Sequence, residues 1–367
     1  MIVCVFATCL MGSSTPAQQA PDFTQAEAML ALLRSCHENR ASASDIERVV
    51  ALSGTELVIA QQNISRRVTQ QQFRDVLQAA CSGKLTDVKP AEPGTRAEKG
   101  VKGLVEDVAP SLIWGRDHTS LLESRLAALR GNQAIGNAIP LARRYLPEQI
   151  PLNPRLYIVM GGRAGAADID DQLYFDVLIS EWRAAQGKAS PLSPQDVVEF
   201  FAHETHHVGY GQILDRKHDS LTLNPGEEQA WRFLTAILME GSATLLINGH
   251  ESLADLEGQP DVRPYLDKVP TLLPAMQSLL QKSLQTAVSD EAYDEAVSPF
   301  LDMGYHATGA TLLAAIEKKR GVPGVMDVMA DPRKLLVAYN ECAGESSTAF
   351  KFDSALAERI SHMGTAK

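Results

Sequence analysis

His203-Glu204-Thr205-His206-His207 sets two histidines four residues apart, with an acid next to the first. On a helix, such a pair differs by about 40° around the axis and one turn along it, so both imidazoles can reach one ion. Glu204 projects about 100° away from His203, beside that ion and not on it. There a carboxylate can take a proton from water that a metal has acidified. The pattern suits zinc-assisted hydrolysis. His206 lies three residues after His203 and competes as a ligand. We read His203 and His207 as the ligand pair, with His206 as a supporting or substrate-side group.

A site of this kind needs a third protein ligand and one open position. The continuation VGYGQILDRKH brings His218 eleven residues past His207, where a metzincin would need a histidine after six. A glutamate on a following helix is the other solution. Between Ala230 and Ile247 the only charged residues are Arg232 and Glu240, and Phe233, Ile237, Glu240, Thr244 and Ile247 share one helical face. A carboxylate in such a stripe is costly unless it is paired or holds metal. Gly241 and Ser242 keep the adjoining surface small, so a second helix can come close. Glu227 and Glu228 are alternatives, but acids are common at a helix start.

The elements that must position these residues leave local signals. Ser193 can cap a helix, Pro194 suits its first position and Asp196 favours its first turn. Val198, Phe201, Thr205 and Val208 form a stripe opposite the ligand face that can anchor this helix. Strand formers run from Leu156 to Met160 and stop at Gly161-Gly162; LYFDVLI at 173–179 reads as a second strand. Residues 24–82 read as helices, 83–99 as a Pro- and Gly-rich surface connection, and the chain from Ser193 onward as helices again. The expected fold is mostly α with a small β-sheet, an α+β arrangement. It divides into a leader at 1–20, an N-terminal helical region at 21–100 and a catalytic region at 101–367.

The 367 residues are 45% apolar and 22% charged, as in globular proteins, which excludes disordered and fibrous classes. A net charge of −11 argues against nucleic-acid binding, which needs Lys and Arg to replace counterions. No uninterrupted apolar run reaches the ~18 residues of a membrane span, so no integral membrane segment is expected. Ile2 to Met11 is apolar and a small, polar, Pro-containing stretch follows, which reads as a signal peptide without the usual basic start. The expected location is therefore periplasmic or secreted, where Cys36 and Cys81 can pair.

His203-Glu204-Thr205-His206-His207 followed by Glu240-Gly241-Ser242-Ala243 resembles the HExxH…EGxA pattern of gluzincin-like zinc peptidases, of which thermolysin is the best known. The wider chain is similar to a bacterial family of unknown function that carries this signature. The similarity rests on GTELVIAQQNISRRVTQQQF, LYIVMGG and MGYHATGATLLAAIEKKRG. The resemblance implies zinc held by His203, His207 and Glu240, Glu204 as general base and later acid, and a sheet edge that pairs with a peptide substrate. The edge would be the Leu156–Met160 strand or the one after it. It also implies an oxyanion-stabilising Tyr305 or His306. Thr244 stands where thermolysin has an acid, which leaves the partner of a ligand histidine unassigned. The leading reading is a zinc-dependent peptidase; the alternative is an exported helical binding protein with a non-catalytic metal site.

Overall fold

A computed structural model describes residues 20–63, 67–84, 96–131, 134–169, 172–187, 193–253, 263–301, 303–344 and 350–364. The expected leader, apart from Ala20, lies outside these residues, as do residues 85–95 of the expected connection. Four helices come first: α1 (Thr24–His37), α2 (Ala43–Val50), α3 (Ser53–Asn63) and α4 (Gln70–Ser82). Next, α5 (Arg96–Gly103) runs through a π-helical turn, Leu104–Val108, into α6 (Ala109–Asp117). The middle of the chain holds α7 (Thr119–Gly131), α8 (Ala134–Ala142), β1 (Arg155–Val159), β2 (Ala166–Ile169), β3 (Gln172–Asp176) and α9 (Val177–Ala185). Two long helices come next, α10 (Pro194–Asp219) and α11 (Pro225–Ser252). The last group is α12 (Arg263–Leu266), α13 (Val269–Gln285), α14 (Asp290–Val297), α15 (Gly304–Ala330), α16 (Leu335–Cys342) and α17 (Ser354–Ser361). The fold is mostly helical with one small mixed sheet, as the sequence leads one to expect.

Capping chemistry starts two of the early helices. Ser42 with Asp45, and Thr69 with Gln72, each satisfy two free N–H groups reciprocally. A disulfide joins Cys36 on α1 to Cys81 on α4. This N-terminal layer shares one buried core with α6 and the sheet: α1 packs on β1 and α6, and Met29, Phe73 and Leu112 close around Gly161 at the end of β1. Gly161 has φ +96, a conformation that costs a side chain dearly.

The sheet order is β1-β3-β2, with β1 parallel and β2 antiparallel to β3. Three sequence expectations change here. The run at 173–179 is not one strand: it pairs only as far as Asp176, whose carboxylate then accepts from Ile179 N (2.8 Å) and starts α9. A capping side chain outweighs the β-preference of Val177 and Ile179. Being central, β3 also cannot be an edge. The outer side of β1 is bridged by Asp22, through Asp22 N to Leu156 O and Ile158 N to Asp22 O, both 2.8 Å. Among the described residues the open edge is β2, with α10 alongside it. This short alanine-rich strand carries no propensity signal; its pairing to β3 creates it.

The C-terminal part is built on α11 crossing α15. At the crossing, Gly241 meets Gly309 so closely that a Cβ on Gly309 would lie 1.9 Å from the Ile237 carbonyl oxygen. The approach expected of Gly241 and Ser242 is realised, with Gly309 as its counterpart. Residues 96–99, expected to be surface connection, are the first turn of α5. Although no uninterrupted apolar run marks a span, Pro225–Gly249 is long and apolar enough for one by length and composition; 67% of its most apolar stretch is buried inside the fold.

Candidate metal centre

Three helices bring the candidate ligands together. α10 starts as expected, with a capping box between Ser193 and Asp196 and Pro194 in the first turn. Val198, Phe201, Thr205 and Val208 are buried, which anchors that face of α10 while His203 and His207 meet Glu240 of α11. α11 starts at Asn224, whose side chain accepts from Gly226 N and Glu227 N. Sixteen positions on from Asn224 by its numbering, Glu240 faces α10. His306 stands in the first turn of α15.

One carboxylate oxygen is the focus. Glu240 Oε2 lies 3.4 Å from His203 Nε2, 3.5 Å from His207 Nε2 and 3.0 Å from His306 Nε2. The His203 and His207 rings are 4.6 Å apart between centroids, and His306 stacks on His203 at 5.5 Å. Burial pushes His203 below its ordinary range and His207 down to about 3, so both are neutral at pH 7. Burial opposes ionisation of Glu240, but the surrounding histidines outweigh it and hold its carboxyl well below the usual range.

Neutral imidazoles and an ionised carboxylate are the protonation states a metal site requires. The spacing fits as well. Ligand atoms ~2.0–2.2 Å from a tetrahedral zinc stand roughly 3.3–3.6 Å from one another. The 3.4 and 3.5 Å separations match that edge; the 3.0 Å contact to His306 is shorter and matches a hydrogen bond. Among the described residues, the group whose ligand atoms all lie within 4.8 Å of one another is His203, Glu240 and His306; His207 is not in it, although its Nε2 is 3.5 Å from Glu240 Oε2. His203 and Glu240 thus belong to either ligand set, and nitrogen and oxygen donors of this kind suit zinc.

The family whose description reads "Putative zinc dependent peptidase (DUF5700)" matches residues 46–348, which include every residue of this cluster. The chain belongs to that family. No curated protein and no solved structure matches the chain.

The other candidates from this DUF5700 chain make contacts of their own. Tyr305 lies against Phe233 and Phe300, with centroids 5.8 and 5.9 Å away, and burial raises its phenol far above the ordinary range. Glu227 closes the capping box of α11, and Glu228 pairs with His218 Nε2 at 3.0 Å. Both alternatives to Glu240 are therefore engaged outside the cluster. Glu204 is half-buried, and with Asp176 it adds to the burial that keeps the Tyr174 phenol protonated. His206 is fully buried, bonded to Ala142 O and Ser242 Oγ at 2.8 Å each. Its partners could not be read from the sequence, because Ala142 offers only a carbonyl and lies 64 residues away.

Proposed function

We propose that the protein is an exported zinc-dependent peptidase, with His203, His207 and Glu240 as zinc ligands and Glu204 as general base and acid. The observation that carries this reading is the convergence of three histidine nitrogens on the single oxygen Glu240 Oε2. Zinc held there would supply Lewis acidity, polarising a peptide carbonyl and lowering the pKa of water towards ~7. The chain does the rest. Glu204 takes the proton from the attacking water and returns it to the leaving amine. The single N–H of His306 Nε2 is directed at Glu240 Oε2; with Glu240 engaged by zinc, that N–H would be released to donate to the oxygen on which negative charge develops. The open edge of β2 runs beside α10, where an extended peptide can add as the next strand and present its carbonyl to the cluster. The Cys36–Cys81 disulfide supports export, since such bonds persist in oxidising compartments.

The test pairs zinc content with turnover of a peptide library. Wild type should carry one zinc per chain and cleave. Glu240→Ala should lose the metal. Glu204→Gln should keep it and lose about 10²–10⁴ of the rate. A wild type that binds no added zinc, or a Glu204→Gln protein with full activity, defeats the reading.

A further inference from the structure

His206 sits inside the HExxH segment yet points away from the cluster, into a buried polar seam. Its ring has no exposed surface. Nδ1 lies 2.8 Å from the carbonyl of Ala142, the last residue of α8. A carbonyl can only accept, so Nδ1 carries the proton and Nε2 is the acceptor. Ser242 Oγ donates to Nε2 at 2.8 Å, in preference to its longer 3.2 Å contact with Met239 O. One imidazole thereby ties three helices together: α10 through its own backbone, α11 through Ser242 and α8 through an end carbonyl that has no partner within its helix. Ser242 is two residues from Glu240, and His206 adjoins His207.

The same end of α8 reaches the third helix of the centre. Arg144 Nη2 and the Tyr145 hydroxyl both donate to Glu317 Oε1 on α15, at 2.9 and 3.0 Å, and Glu317 is buried. Residues 142–145 therefore bond to α10, α11 indirectly and α15.

We propose that His206 is a positioning residue: with Ser242 and the Ala142 carbonyl, it sets the separation between His203 and His207 on α10 and Glu240 on α11, and so the zinc affinity of the site. This role rests on the site being a zinc site. Neither partner touches the reacting atoms. Their hydrogen bonds hold two ligand-bearing helices in register, beside a glycine crossing that has no side chains of its own to do so.

The experiment measures zinc affinity of folded protein by chelator competition, for wild type, His206→Ala, Ser242→Ala and the double variant. Each single change should weaken zinc about 10–100-fold, as loss of groups that orient ligands does. The double should be no weaker than His206→Ala alone, because the pair acts as one unit. Val76→Ala, a cavity in the N-terminal layer, should lower Tm and leave zinc affinity unchanged, separating positioning from general stability. Folded His206→Ala with affinity within about twofold of wild type overturns the proposal, and so do additive losses. If His206→Ala does not fold, Ser242→Ala decides, and unchanged affinity there overturns it. Wild type that takes up no zinc defeats the zinc reading itself, a result visible without any variant.

Discussion

His306 can serve the centre in two ways, and one substitution separates them. As the donor to a developing oxyanion, its replacement by Asn should lower kcat by about 10²–10³ and leave zinc bound. As a ligand, the same change should release zinc. Its grouping with His203 and Glu240 supports the ligand role, whereas its 3.0 Å contact with Glu240, shorter than the edge between two zinc ligands, supports the donor role. Chelator competition alongside kcat for His306→Asn decides, and simultaneous loss of metal and rate would reassign the residue. Charge matters elsewhere at this scale. Burial works against the Asp331 carboxylate, but hydrogen bonds from Arg333 and Lys217 hold it down to about 2. The folded value lies below the unfolded one of ~3.9, so the group stabilises above that pH and loses its contribution as pH falls through 4 towards 2. The contribution is on the order of 1–2 kcal/mol once solvent screening is counted. Acid unfolding of Asp331→Asn should lack that part of the slope; an unchanged profile would mean the network contributes nothing.

At the scale of elements, the crossing of α11 and α15 governs the site. Glu240 precedes Gly241, and His306 is one turn before Gly309. A methyl at Gly309 would meet backbone, the Ile237 carbonyl oxygen at 1.9 Å, which cannot rotate away. Gly309→Ala should therefore cost about 1–3 kcal/mol or more and push the helices apart. The expected result is a lower Tm together with weaker zinc binding in the protein that still folds. A normal Tm with wild-type affinity would show that the helices can part without disturbing the cluster. Lys217 joins the last turn of α10 to Asp331 at 2.8 Å and so fixes the far end of the HExxH helix.

For the molecule as a whole, the disulfide closes a separation of 45 residues within the N-terminal layer. The chain-entropy account gives about 4 kcal/mol for a loop of that length. Reduction should lower Tm by roughly 5–10 °C for a chain of this size. Calorimetry with and without reductant checks it; an unchanged Tm would mean the layer is held by its core alone. That layer packs on the sheet beside β2, so the bond also bears on the edge where we place the peptide.

Much of the site is encoded locally. Helix spacing alone aligns His203 with His207, the Ser193-Pro194 start marks where their helix begins, and an acid isolated in an apolar stripe singles out Glu240. Each of these depends on residues within a few turns of one another, where periodicity and capping act. The mostly helical class comes from the same signals. Other features arise only between segments distant in the chain. β2 has no strand-forming run of its own and exists because β3 offers it hydrogen bonds. Asp176 ends a strand because its side chain caps α9. The depth of the α11–α15 approach depends on two glycines 68 positions apart by their numbering. Whether His306 or Tyr305 faces Glu240 is settled by where α15 begins against α11, and the partners of His206 by where α8 ends. Sequence carries the short-range terms of the free energy, spacing, caps and burial pattern. The convergence of His203, His207, Glu240 and His306 from three helices is set by packing and by buried hydrogen bonds, whose partners only the folded chain brings into reach.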